Sequence, residues 1–312
     1  MPAEVPLRDA ATVVLLRDGP GGLEVFLLRR QRTMAFAGGM SVFPGGGVDD
    51  RDADLSLDLA WHGPPPAAWT GPLTADEPLA RALVCAAVRE TFEETGVLLA
   101  SPALPGSPGS LGSVAEAGGA GGAGGAGGAV GVDAADRLAL ERGDLALAEL
   151  LAGRGLVLRA DLLRPWAHWV TPVGEGRRYD TRFLVAALPA GQATGDLAGE
   201  AESADWVRPA DALAEAERGV RPLLPPTSVT LAEIARYSAV ADVLAAAEDR
   251  TIVPINPILV RTESGAAAVD LPDGTRLLLP PIPEPPSPVP SPSPVPSSPV
   301  PSSSPVPSGS PE

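Results

Sequence analysis

The stretch RETFEETGV, Arg89 to Val97, decides how this chain is read. It closes the run PLARALVCAAVRETFEET, Pro78 to Thr95, whose alanines and helically spaced apolar residues predict a helix, and Gly96 supplies its C-terminal stop. On that helix Glu90, Glu93 and Glu94 stand at i, i+3 and i+4, so three carboxylates share one face. Like charges at this spacing cost about 0.2–0.5 kcal/mol per pair, and Glu93 and Glu94 also sit beside the negative end of the helix dipole. A divalent cation reverses the sign of both penalties, and an oxygen-only donor set suits Mg²⁺ or Mn²⁺. Arg89, four residues before Glu93, is placed to orient it, and Ala86 leaves room one turn above Glu90. An isolated acidic pair near a helix end is by default a solvated face. Here, however, an apolar strand running into Pro44, Gly45, Gly46 and Gly47 precedes the helix, and such a cluster lets backbone approach a ligand closely.

Working outward, ATVVLLR and LEVFLLRR are two β-rich runs separated by DGPGG, which predicts a hairpin over Ala10 to Arg30. Residues 51–78 are polar and Pro-rich and read as an inserted surface loop. Residues 101–133 contain GGAGGAGGAGGA, a flexible linker, and AADRLALERGDLALAELLAGRG after it predicts one or two helices. HWVTP and RRYDTRFLVAALP read as strands, ADWVRPADALAEAERG as a strand end and a helix, and PPTSVTLAEIARYSAVADVLAAAEDR as one longer helix. A last hairpin turns on Pro272, Asp273 and Gly274. Residues 281–312 hold 14 of the 37 prolines and cannot bury apolar surface, so they are expected to be a disordered or polyproline tail. That leaves residues 1–280 as a single domain of α/β (α+β) class.

Composition excludes several functions. The formal charge of −16 opposes a phosphate backbone, so no nucleic-acid partner is expected. All 23 basic residues are arginine, which removes any lysine-dependent P-loop or Schiff-base chemistry. One cysteine, Cys85, forbids an intrachain disulfide. The apolar run near the start, AATVVLL, is too short for a membrane span, and the expectation is a soluble, cytoplasmic protein with no membrane partner.

RETFEETGV resembles the second half of the Nudix hydrolase box, G-x5-E-x7-R-E-U-x-E-E-x-G-U with U aliphatic; only Thr91, at a U position, departs. FPGG, Phe43 to Gly46, resembles the turn before the box but lies 43 residues before Arg89 instead of 14, and eight positions before Arg89 stands Arg81. A split box of this kind is similar to the nudix motif 19 subgroup, which includes coenzyme A diphosphatases, as are PWAHWVTP, RRYDTRF, DWVRPADAL and LLPPT. The resemblance implies an α/β/α sandwich with a mixed sheet and hydrolysis of a diphosphate bond in a small nucleotide-type substrate with Mg²⁺ or Mn²⁺; a homodimer is compatible with it. It implies Glu93 and Glu94 as metal ligands, Glu90 as a third ligand or the base that deprotonates the attacking water, Arg89 beside them, and Gly45 offering its carbonyl to the metal. The coenzyme A subgroup's upstream motif is matched in LLRRQRTMAFAGGMSVFPGG at Arg30, Met34, Gly39 and FPGG, but its Ser, His and Gln are missing.

Secondary candidates surround this core. Arg30, Arg177, Arg178 and Arg182 are suited to phosphate, and Glu200 and Glu202 are extra carboxylates before the strand at Trp206. Asp180 reads as an orienter of arginine, His168 as a packed, hydrogen-bonded ring, and Cys85, pointing away from the glutamates, as core. Two other readings remain at this point: a Nudix-like nucleotide-binding module without turnover, against which the intact ExxEE speaks, and a carrier whose SPVP repeats are ligands for an SH3-like domain.

Overall fold

The run AATVVLL is apolar at consecutive positions because both faces of its strand are buried. In the computed structural model, which describes residues 5–34, 37–54, 60–103, 131–196, 199 and 201–280, β1 (Leu7–Gly19) sends Ala11, Val13 and Leu15 into one core and Val14 and Leu16 into another. It pairs in parallel with β9 (Arg178–Ala187) and antiparallel with β2 (Gly22–Arg30), and β9 splits its side chains the same way, Leu184 and Ala186 against Phe183 and Val185. Adding β8 (Leu163–Val170), β10 (Ala201–Val207) and β11 (Pro254–Ile255) gives the order β10-β2-β1-β9-β8-β11. The short β3 (Ser41–Val42) and β4 (Gly45–Gly47) pair with β2 and β1. The sheet is mixed, as expected.

One face carries α1 (Thr70–Leu73) and α2 (Glu77–Thr95), extended by α3 (Ala134–Glu141), α4 (Leu147–Arg154) and the small sheet of β5 (Trp61–His62), β7 (Leu156–Arg159) and β6 (Ala100–Pro102). The other face carries α5 (Pro209–Glu217), α6 (Pro225–Ile234) and α7 (Val240–Glu248). A separate sheet of β12 (Ile258–Arg261), β13 (Ala267–Asp270) and β14 (Arg276–Leu278) contains the hairpin expected at Pro272 to Gly274. The result is the α/β/α sandwich. The helix that decides the reading begins where Asp76 accepts the N–H of Leu79 (3.0 Å) and ends at Gly96, whose φ of 75° suits glycine.

Three expectations are corrected. Residues 51–78 are not a bare surface loop, because Trp69 and Leu73 enter the core and Asp52 is fully buried. The linker 101–133 is structured at its ends, where Ser101 and Pro102 pair with β7 and Asp133 caps α3; residues 104–130 lie outside the described residues, as does the tail 281–312. The single helix expected over 225–250 is two, broken between Ile234 and Val240. The second starts there because Asp18, far away in the β1–β2 turn, accepts the N–H of Val240 at 2.9 Å.

That long-range cap gives a prediction: Asp18→Ala should destabilise the protein by about 1 kcal/mol in urea unfolding, as loss of a helix cap does. An unchanged midpoint would contradict the assignment.

Candidate active site

The polar run DDRDAD builds the first part of the site. Asp49 caps a 3-10 turn, Asp50–Ala53, accepting the N–H of Arg51 (2.9 Å), while its own N–H donates to Asp52 (2.8 Å). The side-chain hydrogen bonds from Arg51 hold the Asp49 carboxyl well below the usual carboxylate range. The turn thereby fixes Asp52 with its carboxylate toward α2.

Arg89 meets it there. Its Nε and Nη2 donate to the two oxygens of Asp52 (2.9 and 2.8 Å), Nη2 also donates to the carbonyl of Gly47 (2.9 Å), and Nη1 reaches Glu90 (2.8 Å) and both oxygens of Glu93 (3.3 Å). Both members of the Arg89–Asp52 pair are buried, their side chains 7 % and 1 % exposed. Burial works against the charge of Arg89, but its hydrogen bonds to Asp52 and the charges of Glu90, Asp52 and Glu93 hold it protonated.

This arrangement corrects the reading of the split box. Counted from Gly46, G-x5-E ends on Asp52, so the acidic position of the first half is filled, by Asp. The insertion follows it: Asp52 and Arg89 are 37 positions apart in sequence but hydrogen-bonded in space. Arg81, the residue eight positions before Arg89, is buried about 12 Å up the helix. Counting forward from the glycine would have found Asp52; counting back from Arg89 cannot cross an insertion.

The FPGG turn comes against the same helix end through β4, which pairs with Ala10 to Thr12 of β1. The N–H of Gly45 donates to Glu94 Oε2 (2.8 Å). Gly46 lies so close to Glu90 that a Cβ here would push its carboxylate aside, so glycine lets the turn close onto it. Glu90, Glu93, Glu94, Arg89 and Gly45 therefore converge on one cavity of ≈ 1480 Å³.

At the edge of that cavity the buried guanidinium of Arg89 is hydrogen-bonded to three acids, Asp52, Glu90 and Glu93, and Glu94 lines the same cavity. Burial pushes the Glu90 carboxyl up to about 7, opposed by Arg89 and reinforced by Glu93. Burial likewise raises Glu93, against the pull of Arg89. Oxygen donors with an unbalanced negative charge fit a hard divalent cation. Among the described residues no three His, Cys, Asp or Glu side chains form a ready-made cage. Mg²⁺ needs none, since it takes one or two carboxylates and completes its shell with substrate phosphate and water.

The secondary candidates separate cleanly. Arg30 and Arg177 line the cavity, as does an apolar wall from Met40, Phe43, Trp169 and Phe183. Arg178 and Arg182 are not brought to it. Arg178 is buried, with Nε and Nη1 donating to the carbonyls of Thr171 and Val5, and Arg182 is spent on Asp9, Asp180 and the carbonyls of Leu73 and Thr74. His168 bonds Asp180, and Cys85 is fully buried in the core. Glu202 is exposed on β10 away from the cavity, and Glu200 lies outside the described residues. Sequence reading missed Leu140 and Glu141, which α3 adds to the cavity wall; nothing in their spacing marks them.

Fold and site together define a Nudix scaffold with its box closed across an insertion. No family model matches the chain. It is 28% identical to the acyl-coenzyme A diphosphatase NUDT19 of Gallus gallus over 78% of this chain and 72% of that protein, and 23% identical to the one of Xenopus laevis over 78% and 68%. A crystal structure of a NUDIX hydrolase from Alicyclobacillus acidocaldarius superimposes with a TM-score of 0.60, at 28% identity over 78% of this chain and 97% of that one. The chain thus has the Nudix fold and is similar in sequence to Nudix hydrolases. No helix among the described residues is long and apolar enough to cross a membrane.

The raised Glu90 carboxyl makes a prediction with a definite sign. Its protonated form is favoured by the fold, so its contribution to stability is present below about 4.5 and is lost as pH rises through about 7. Glu90→Gln keeps an acceptor for Arg89 without the charge. In chelator-treated protein it should melt higher than wild type at pH 8 and at the wild-type temperature at pH 5; a lower melting temperature at both would contradict the charge imbalance.

Proposed function

We propose that this chain is a diphosphohydrolase that cleaves the diphosphate bond of coenzyme A or an acyl derivative, using Mg²⁺ or Mn²⁺. The observation that carries the reading is the convergence of Glu90, Glu93 and Glu94 with the Gly45–Gly46 backbone on one cavity, organised by Arg89. The similarity to the two NUDT19 acyl-coenzyme A diphosphatases supports the substrate class. Residues 1–280 then act as a single catalytic domain.

In this reading Glu93 and Glu94 hold the cation, with the carbonyl of Gly45 as a further oxygen donor. When bound, the cation supplies the positive charge that phosphate oxygens require and makes water a better nucleophile. Glu90, held by Arg89, would accept the proton of the attacking water as the new phosphorus–oxygen bond forms and the bridging phosphorus–oxygen bond of the diphosphate breaks, its electron pair leaving on the departing phosphate. Arg89 keeps Glu90 and Glu93 at fixed positions. Arg30 is placed to contact a phosphate oxygen, and the wall of Met40, Phe43, Trp169 and Phe183 accommodates an apolar portion of the substrate. The protein's negative charge is then no obstacle to a phosphate ligand, because the cation intervenes.

Incubating the protein with Mg²⁺ or Mn²⁺ and coenzyme A, an acyl-coenzyme A, NADH, ADP-ribose or a nucleoside triphosphate should release phosphate-bearing products from the coenzyme A compounds first. Glu93→Gln and Glu94→Gln should each lower kcat by at least about 100-fold, as loss of a metal-orienting group does, with the far-UV spectrum retained. Unchanged turnover in both would sink the metal assignment. Binding of one compound with no cleavage of any would favour a binding module.

A further inference from the structure

The chain returns to the fold after its Gly/Ala-rich insertion as α3, and α3 places Arg137 against the end of α2 from which Glu93 and Glu94 project. Arg137 Nε donates to the carbonyl of Glu93 (2.7 Å) and Nη1 to the carbonyl of Asp196 (2.8 Å). The Gly195 N–H donates to the carbonyl of Thr95 (2.8 Å), so the 195–196 segment and Arg137 close over the same helix end. A Cβ on Gly96 or Gly195 would lie 3.6 or 3.4 Å from Arg137 Nη1, at van der Waals contact, so the guanidinium packs against both.

Charge explains why a cation is needed at this point. The last carbonyls of a helix have no intrahelical donor and carry the negative end of its dipole. The last turn of α2 has no basic residue of its own, yet it carries Glu93 and Glu94. Arg137 brings the missing charge from outside the helix, and Glu141, Asp196 and Glu94 lie near enough to act on it. Its Nη2 is buried with no hydrogen-bond partner among the described residues. Arg137 does not line the cavity, although Leu140 and Glu141, one turn further along α3, do. Its hydrogen bond to the helix that carries the carboxylates is made to the backbone of α2.

We propose that Arg137 is a positioning residue for the carboxylate cluster: by holding the Glu93 carbonyl it fixes the last turn of α2 and thereby where Glu93 and Glu94 stand for a divalent cation. The role rests on the metal reading above. It also makes α3 a working part of the site, although a long low-complexity segment separates it from the box.

The test uses the full chain, Mn²⁺ alone followed by electron paramagnetic resonance, and amide hydrogen exchange without metal. Arg137→Gln should raise the Kd for Mn²⁺ by about 10-fold, the scale expected when a group orienting a ligand is lost. It should also speed exchange of the amides at 93–97 by about 10-fold while those at 80–88 keep their protection. Arg137→Lys, which keeps the charge and one donor, should recover part of both, and Arg142→Gln, an exposed change on the same helix, should match wild type. A lower melting temperature with unchanged Mn²⁺ affinity, or exchange accelerated evenly along α2, would overturn the proposal and leave Arg137 a structural residue. Wild type that binds no Mn²⁺, with exchange still altered locally in Arg137→Gln, would instead overturn the metal reading and this role with it.

Discussion

Arg89 is held between a carboxylate from one end of an insertion and two carboxylates from the other, and the rest of the site depends on that placement. A buried guanidinium is tolerated only when its donors are satisfied, and here Asp52, the Gly47 carbonyl, Glu90 and Glu93 take them. Removing Asp52 would leave the 45–54 segment held to α2 by the weaker ties of the Gly47 carbonyl to Arg89 and the Gly45 N–H to Glu94, and removing Arg89 would leave Asp52, Glu90 and Glu93 facing one another. The ion pair therefore does two jobs. It docks the glycine turn onto the helix, which brings the Gly45 N–H to Glu94, and it holds Glu90 and Glu93 in place against their own repulsion.

The pair also explains how the fold tolerates an interrupted box. Of the described residues between Asp52 and α2, Trp69 and Leu73 bury themselves against the core of the α2 face, and Arg182 grips the carbonyls of Leu73 and Thr74 from the sheet. The second interruption ends in the same way, with α3 and α4 contributing Leu140, Leu147 and Leu151 to that core. Both insertions thus return apolar surface to the layer that carries the carboxylates, which is why the chain can lengthen at these points without losing the site.

How much was legible followed from the range of each interaction. The α2 helix, its Gly96 stop, the first hairpin and the glutamate trio are local patterns, and the sequence shows the helix to within a residue and the hairpin with its first strand begun three residues late. The break between α6 and α7 was invisible because the cap that starts α7 comes from Asp18. Arg178 and Arg182 have the chemistry of phosphate ligands, but whether an arginine on a strand faces a cavity or reaches for backbone carbonyls depends on packing that spacing does not encode. Asp52 was readable in principle by counting from Gly46. Glu141 and Arg137 were not, since a Gly/Ala-rich run gives no register between them and α2.

The central claim, that the box is closed in space by Asp52 and Arg89, is tested most directly by a double-mutant cycle read in chemical denaturation. Asp52→Ala and Arg89→Met should each cost about 3–5 kcal/mol, as breaking a buried ion pair does, and the double variant should be no less stable than the worse single one. Additive losses, or an Asp52→Ala protein as stable as wild type while Arg81→Ala is not, would contradict it.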